Sequence, residues 1–263
     1  MALSPRAVIA ALALLLPGAA WAQDDNAELA KKLANPVSSL ISVPLQHNYD
    51  CCYGPSDGFR YTLNVQPVVP MSLGKDWNLI IRTIVPIIYQ QSTAPGSGDA
   101  FGFSDITQSF FFSPKAAPGG IIWAVGPALL YPLGSEALGT RKWGAGPTFL
   151  VLKQQGPVTV GVLTNQIWSY AGDRSRPEVN QLFLQPFFNY TFPSSTALSL
   201  NSEATYNWIT RQWTVPINFG VSHVYKFGRQ RVQLSGQGKI YAETPSGGPG
   251  WGLRFVTTFL FPT

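Results

Sequence analysis

The stretch GPSDG at residues 54–58 spells G-x-S-x-G, the spacing of a nucleophile elbow in which a strained strand-to-helix turn presents a serine hydroxyl. That elbow needs a strand before Ser56 and a helix after it. The residues after it are Phe59-Arg60-Tyr61-Thr62-Leu63, of strand type, so Pro-Ser-Asp-Gly reads as a turn between two strands. Only His47 and His223 could supply a base. His223 comes directly after Ser222, and neighbours on a strand face opposite ways, so those two cannot pair as nucleophile and base. Both histidines read as structural or lumen-facing.

The only cysteines, Cys51 and Cys52, are adjacent and cannot build a framework of loop-closing disulfides. A vicinal disulfide is one reading; two unpaired thiols on opposite sides of a strand is the one that alternation favours. Two histidines and two adjacent cysteines are a poor zinc inventory, and no phosphate-binding glycine loop occurs, so neither a metal nor a cofactor is expected. The net charge of +5 is scattered along the chain, which argues against a nucleic-acid surface. The polar residues that strand alternation would place on one shared inner face are Arg82, Glu203, Lys239 and Arg254, with Asn64, Gln66, Gln181, Gln185 and Asn218. Asp105 joins them if its strand has the right parity. Such a set suits the lining of a pore, given strands to place it.

The elements come in three parts. Arg6 precedes an apolar run from Ala7 to Leu16 and then Ala20-Trp21-Ala22, the pattern of a secretory signal peptide over 1–22, cleaved to leave a chain beginning near Gln23. The apolar run is too short for a retained membrane helix. In the segment 23–38, Asp25 can cap a helix over 24–34, Glu28 comes three residues later, and Leu29 and Leu33 share a face. Asn35-Pro36 ends it. From about residue 39 to 263 the pattern alternates with period two, predicting strands near 40–52, 59–71, 77–90, 100–113, 120–132 and 142–154. Six more fall near 157–170, 178–192, 196–209, 211–225, 230–243 and 250–262.

Only 12% of the residues are charged while 13% are aromatic, a small supply of charge for a surface facing water. In the last strand Trp251, Leu253, Phe255, Phe259 and Phe261 share one side. In the strand before it Gln233, Ser235, Gln237, Lys239 and Tyr241 share the other. An apolar exterior and a polar interior describe an outer-membrane barrel. Tryptophans 77, 123, 143, 168, 208, 213 and 251 all fall near predicted strand ends, where amphipathic rings collect at the lipid headgroups. Connections such as SLGKD and QQGP alternate with longer ones such as QQSTAPGSGDA, as periplasmic turns alternate with outer loops. Pro67, Pro86, Pro127, Pro147, Pro186 and Pro216 each sit inside a predicted strand. Proline lacks an N–H, so bulges or lost ladder bonds are expected at most of them.

NPVSSLISVP (35–44), GPSDGFRYTLNVQPVVP (54–70), DWNLIIRTIVPIIYQ (76–90), SDITQSFFFSPK (104–115), KWGAGPTFLVLKQQGP (142–157), TNQIWSYAGD (164–173), FLQPFFNYTF (183–192), WTVPINFGVS (213–222) and the ending GWGLRFVTTFLFP resemble the bacterial outer-membrane proteins grouped as the MetA-pathway-of-phenol-degradation family. Some of these carry the transferred label neuromedin U. The resemblance implies an outer-membrane β-barrel associated with transport of hydrophobic or aromatic compounds. It also implies assembly by the barrel-assembly machinery, for which Phe255, Phe259 and Phe261 carry an alternating aromatic signal, although the chain ends Pro262-Thr263.

The expectation is an all-β, up-and-down antiparallel barrel of about twelve strands in outer-membrane lipid, with a short N-terminal helix at or in its periplasmic mouth. It would admit small solutes passively, and it is not expected to be an enzyme. Two alternatives remain: a closed structural or binding barrel, and a lipid hydrolase at the membrane rim.

Overall fold

The computed structural model describes residues 26–94 and 96–261. The expected signal peptide, the cleavage point near Gln23 and the Asp25 cap lie outside the described residues. A helix (α1) occupies 26–33, with Glu28 and Lys32 paired at 2.9 Å one turn apart. It ends where Asn35 Oδ1 accepts from the Val37 N–H at 3.0 Å, a local turn that Asn favours over continued helix.

Fifteen β segments make up the rest: β1 Ile41–Tyr53, β2 Gly58–Val65, β3 Val68–Leu73, β4 Trp77–Gln91, β5 Ala100–Phe103, β6 Ile106–Pro114, β7 Ile121–Tyr131, β8 Lys142–Gln155, β9 Val158–Gly172, β10 Asn180–Thr191, β11 Thr196–Ser202, β12 Ala204–Asn207, β13 Gln212–Phe227, β14 Gln230–Glu243 and β15 Trp251–Phe261. Three strands are interrupted, as β2/β3, β5/β6 and β11/β12, so the segments make a closed antiparallel barrel of twelve strands. Closure is direct, since β1 pairs with β15 from Ile41 opposite Phe261 to Cys51 opposite Trp251. Closure removes the edge strands of an open sheet, although the short β5 pairs only with β4.

Alternation gives the wall two faces. Trp251, Leu253, Phe255 and Phe261 are exposed while Arg254, Thr258 and Leu260 between them are buried. Aromatic pairs ring both ends of the wall. Trp77 meets Trp123 and Tyr225 meets Phe227 at the short-turn end. Tyr131 meets Trp143 and Tyr206 meets Trp208 at the long-loop end. These are the two girdles of a membrane barrel, with the apolar outer band between them.

The pairing thins at the prolines. Along β6 and β7 the ladder stops at Ser109 opposite Ala128 and resumes at Phe112 opposite Val125, skipping Pro127. Along β8 and β9 it skips from Ala145 opposite Trp168 to Thr148 opposite Asn165, passing Pro147. Pro127 and Pro147 face each other in register across β7 and β8. Their missing N–H groups therefore point to the two outer neighbours, where the ladder is absent. Pro67 lies in the gap between β2 and β3, and Pro86 stands between the β6 and β5 halves of its neighbouring strand. Pro186 and Pro216 flank Glu203 from the two adjacent strands. That residue separates β11 from β12, and the β13–β14 register shifts between Val215 and Pro216.

Cys51 and Cys52 are joined as a disulfide, which corrects the reading of two unpaired thiols. Strand alternation fails at this pair because Cys52 has φ of 69° and the β1–β2 register shifts between Cys51 and Tyr53. The irregular backbone brings neighbouring side chains together that a flat strand would hold apart.

Candidate functional site

The lumen divides into an apolar lower part and a polar middle. At the short-turn end the chain before β1 fills the barrel. Leu29 and Ala30 of α1 pack on Leu40, Val224 and Leu260. Val37 inserts among Ile80, Phe111, Leu150, Leu152, Leu163 and Phe187. The helix is tied to the wall by Gln154 Nε2, which donates to the Lys31 carbonyl at 3.0 Å, and by Arg231 Nη1, which donates to Asn26 Oδ1 at 3.2 Å. All of these contacts of α1 lie at the short-turn ends of the strands, which puts the helix in the mouth, while Val37 beyond it enters the lumen.

Above this plug stands an ionic layer. Arg254 donates from Nη1 and Nη2 to the two Glu203 oxygens at 3.0 and 2.5 Å, and from Nε to Asn48 Oδ1 at 2.7 Å. This is the forked geometry that makes arginine–carboxylate pairs strong. Lys239 Nζ and the Tyr241 hydroxyl both donate to Asp50 Oδ1, at 2.7 and 2.8 Å. Arg82 Nη2 donates to Gln66 Oε1 at 2.9 Å, and the Gln66 amide meets that of Gln46 at 3.0 Å. Glu203 reaches Arg254 from the point where its strand is broken between Pro186 and Pro216. The ladder gap thus sits where the lumen's central carboxylate is placed.

The other expected lumen residues separate. Asn218 is fully buried and donates to Asn201 Oδ1 at 2.9 Å, on the same side of β13 as Gly220, which is opposite Gln237. Gln185 and Gln66 line a cavity of about 240 Å³ that lies between the plug and the ionic layer, and Gln181 lines a second of about 190 Å³. Asn64 stands opposite Pro86 across β2 and β4. Asp105 does not join the lumen set. Its carboxylate accepts from the backbone N–H of Gly134 at 3.0 Å and of Thr140 at 2.7 Å, and from the Thr140 hydroxyl, so it holds the loop 132–141 at the outer mouth. Asp50, Asn48 and Gln46 are lumen residues absent from the set expected from sequence. Their signal is the even-numbered side of β1, opposite Leu45, His47 and Tyr49.

At the same mouth Lys142 Nζ donates to Glu178 Oε1 at 2.6 Å. That bond, then one from the Ser169 hydroxyl, holds the Glu178 carboxyl below the usual carboxylate range. Arg176 donates to the Glu136 carbonyl and, at 3.3 Å, to that of Gly139, joining loop 173–179 to loop 132–141.

Both histidines face outward, correcting the lumen-facing alternative. His47 shares its side of β1 with exposed Tyr49, and His223 shares its side of β13 with exposed Tyr225. His47 Nδ1 lies 2.6 Å from the Tyr61 hydroxyl and His223 Nδ1 lies 2.8 Å from Thr196 Oγ1. Ser222, on the opposite side of β13, accepts from Gln233 Nε2 at 3.3 Å. The residues 54–56 form a short 3-10 turn that leads into β2, so the G-x-S-x-G spacing has no helix after it. Among the described residues no group of three or more His, Cys, Asp or Glu is placed to hold a metal.

The fold and the lumen define a closed barrel of the outer-membrane type. Against known proteins, no family model matches the chain and no curated protein matches it. Solved structures do. The COG4313 outer membrane channel from Pseudomonas putida F1 is similar at a TM-score of 0.68 with 15% identity, covering 85% of this chain and 96% of that one. Outer membrane phospholipase A from Escherichia coli aligns at 0.48 with 12% identity over 89% and 98% of the two chains. A Pseudomonas aeruginosa FadL homologue aligns at 0.40 with 10% identity over 85% and 89%. At these identities the likeness is one of fold.

Proposed function

We propose that this chain is a passive outer-membrane channel for small solutes, closed in this structure at its periplasmic end by its own N-terminal segment. The observation that carries the reading is the position of the apolar plug: Val37 and α1 fill the lower end of a lumen whose next layer is polar and holds two cavities. A plug that is not part of the wall can leave without breaking the barrel. The apolar outer band and its two aromatic girdles support residence in the outer membrane after removal of the signal peptide over 1–22. The solute class, small hydrophobic or aromatic compounds, is what the resemblance to the phenol-degradation family implies. Passage would be shaped by Arg82, Glu203, Lys239 and Arg254, since pore-lining charges and donors set selectivity.

A rim hydrolase is the poorer reading because both histidines sit on the outward face, and among the described residues neither meets a carboxylate to orient it. The test is uptake of radiolabelled phenol and of a small sugar into liposomes holding the purified protein. Uptake above empty liposomes is expected. Rates equal to those of empty liposomes, for the full chain and for one lacking 23–38, would contradict the reading and favour a closed structural barrel.

A further inference from the structure

Three cations, Arg82, Lys239 and Arg254, face two carboxylates, Asp50 and Glu203, in the ionic layer. Both carboxylates are engaged, Asp50 by Lys239 and Tyr241, Glu203 by both ends of the Arg254 fork. The surplus charge falls on Arg82. Among the described residues its one protein hydrogen bond goes to the neutral Gln66 amide, although a guanidinium carries five N–H groups in a rigid fork suited to a carboxylate. Glu203 offsets this charge only from a distance, since both of its oxygens are taken by the Arg254 fork; the half-buried guanidinium therefore has no carboxylate in hydrogen-bond contact and has donors free for one.

The space beside it fits one kind of anion. Arg82 lines both of the cavities described above and, among the described residues, is the only charged one lining either. The 190 Å³ cavity, on the mouth side, is walled by Leu130, Leu163, Ile167 and Phe183, with Ser109 and Thr205 adding hydroxyls. Its volume is below the roughly 300–1,000 Å³ of pockets for drug-sized ligands. That leaves room for a single ring or a short chain.

We propose that Arg82 anchors a lumen site for the carboxylate of a small monocarboxylic acid, with the acid's apolar body lying against Leu130, Leu163, Ile167 and Phe183. The fork of Arg82 meets the two carboxylate oxygens and Ser109, directly opposite it across β4 and β6, stands beside them. The assignment rests on reading the lumen as a solute path, yet equilibrium binding tests it without requiring transport.

The experiment is isothermal titration calorimetry of the detergent-purified full chain with benzoate, with benzyl alcohol as the neutral analogue of like shape, and with sulfate as an anion lacking an apolar body. Benzoate is expected to bind at least about tenfold more tightly than either, the scale of one charge-assisted hydrogen bond. Arg82→Gln should lose that preference and Arg82→Lys, which keeps the charge without the fork, should retain part of it. Equal binding of benzoate and benzyl alcohol, sulfate binding as tight as benzoate, no benzoate binding, or benzoate affinity unchanged in Arg82→Gln would each overturn the assignment. Should Arg82→Gln not fold, the three-ligand comparison on the native chain and on Arg82→Lys still decides it. Binding without liposome uptake would retain this site and remove the channel reading; uptake without binding would do the reverse.

Discussion

The two ends of the lumen solve different problems with different residues. The periplasmic end is filled by aliphatic and aromatic side chains around Val37 and α1, groups held mainly by burial, whose contacts are non-directional. The middle and outer part is held by named pairs: Arg254 with Glu203, Lys239 with Asp50, Asp105 with loop 132–141. The apolar plug is tied to the wall by only two side-chain hydrogen bonds, from Gln154 and Arg231, neither between two charged groups; an ionic layer cannot rearrange without leaving a charge unpaired. In the proposed channel the contrast puts motion at the lower end and recognition at the upper.

The sharpest way to break the comparison is to remove one member of the ionic layer. Glu203→Ala leaves Arg254 buried without its carboxylate, and loss of one partner from a buried pair costs about 3–5 kcal/mol. The barrel should unfold at a markedly lower urea concentration, monitored by heat-modified gel migration. Joint replacement by Glu203→Leu and Arg254→Met should recover most of that loss; failure to recover would show that the layer is held by something other than the pair. A smaller effect is expected at the mouth. Asp105→Ala removes the acceptor of three donors in loop 132–141, a local cost of about 1–3 kcal/mol, read as faster proteolysis of that loop with the barrel midpoint nearly unchanged.

The smallest effect is one of pH. The folded carboxyl of Glu178 is held down by Lys142, so the contact adds stability above the unfolded carboxylate pKa of about 4.3 and loses it as pH falls through the lower folded value. Loop 173–179 should become more open to protease below that range in the native chain, and Glu178→Gln should be equally open at neutral and acid pH. A native loop indifferent to pH would remove Glu178 from the contacts that hold the mouth.

Much of this architecture is legible in the residues. Each of the twelve predicted strands lies within about two residues of the observed ends, because alternation, girdle aromatics and turn residues all mark the same boundaries. Parity alone places Arg82, Glu203, Lys239 and Arg254 on the inner face. Parity does not say which charges meet. Asp50 falls within the predicted strand 40–52, but nothing in its period shows that it is the partner of Lys239 from the far end of the sequence. The disulfide is hidden for a related reason: a register shift beside a residue at positive φ cannot be seen in a period of two. The burial of Val37 is illegible as well, since a lone valine after Asn35-Pro36 carries no periodic signal until the wall around it is known.

The central claim is that the segment before β1 closes a lumen otherwise fit to conduct. Single-channel recording in planar bilayers, with the full mature chain and one lacking residues 23–38 measured side by side, tests it most directly. A plugged channel predicts long closed periods with rare openings for the full chain and a sustained, larger conductance for the shortened one. Identical records from the two, whether both silent or both open, would contradict it.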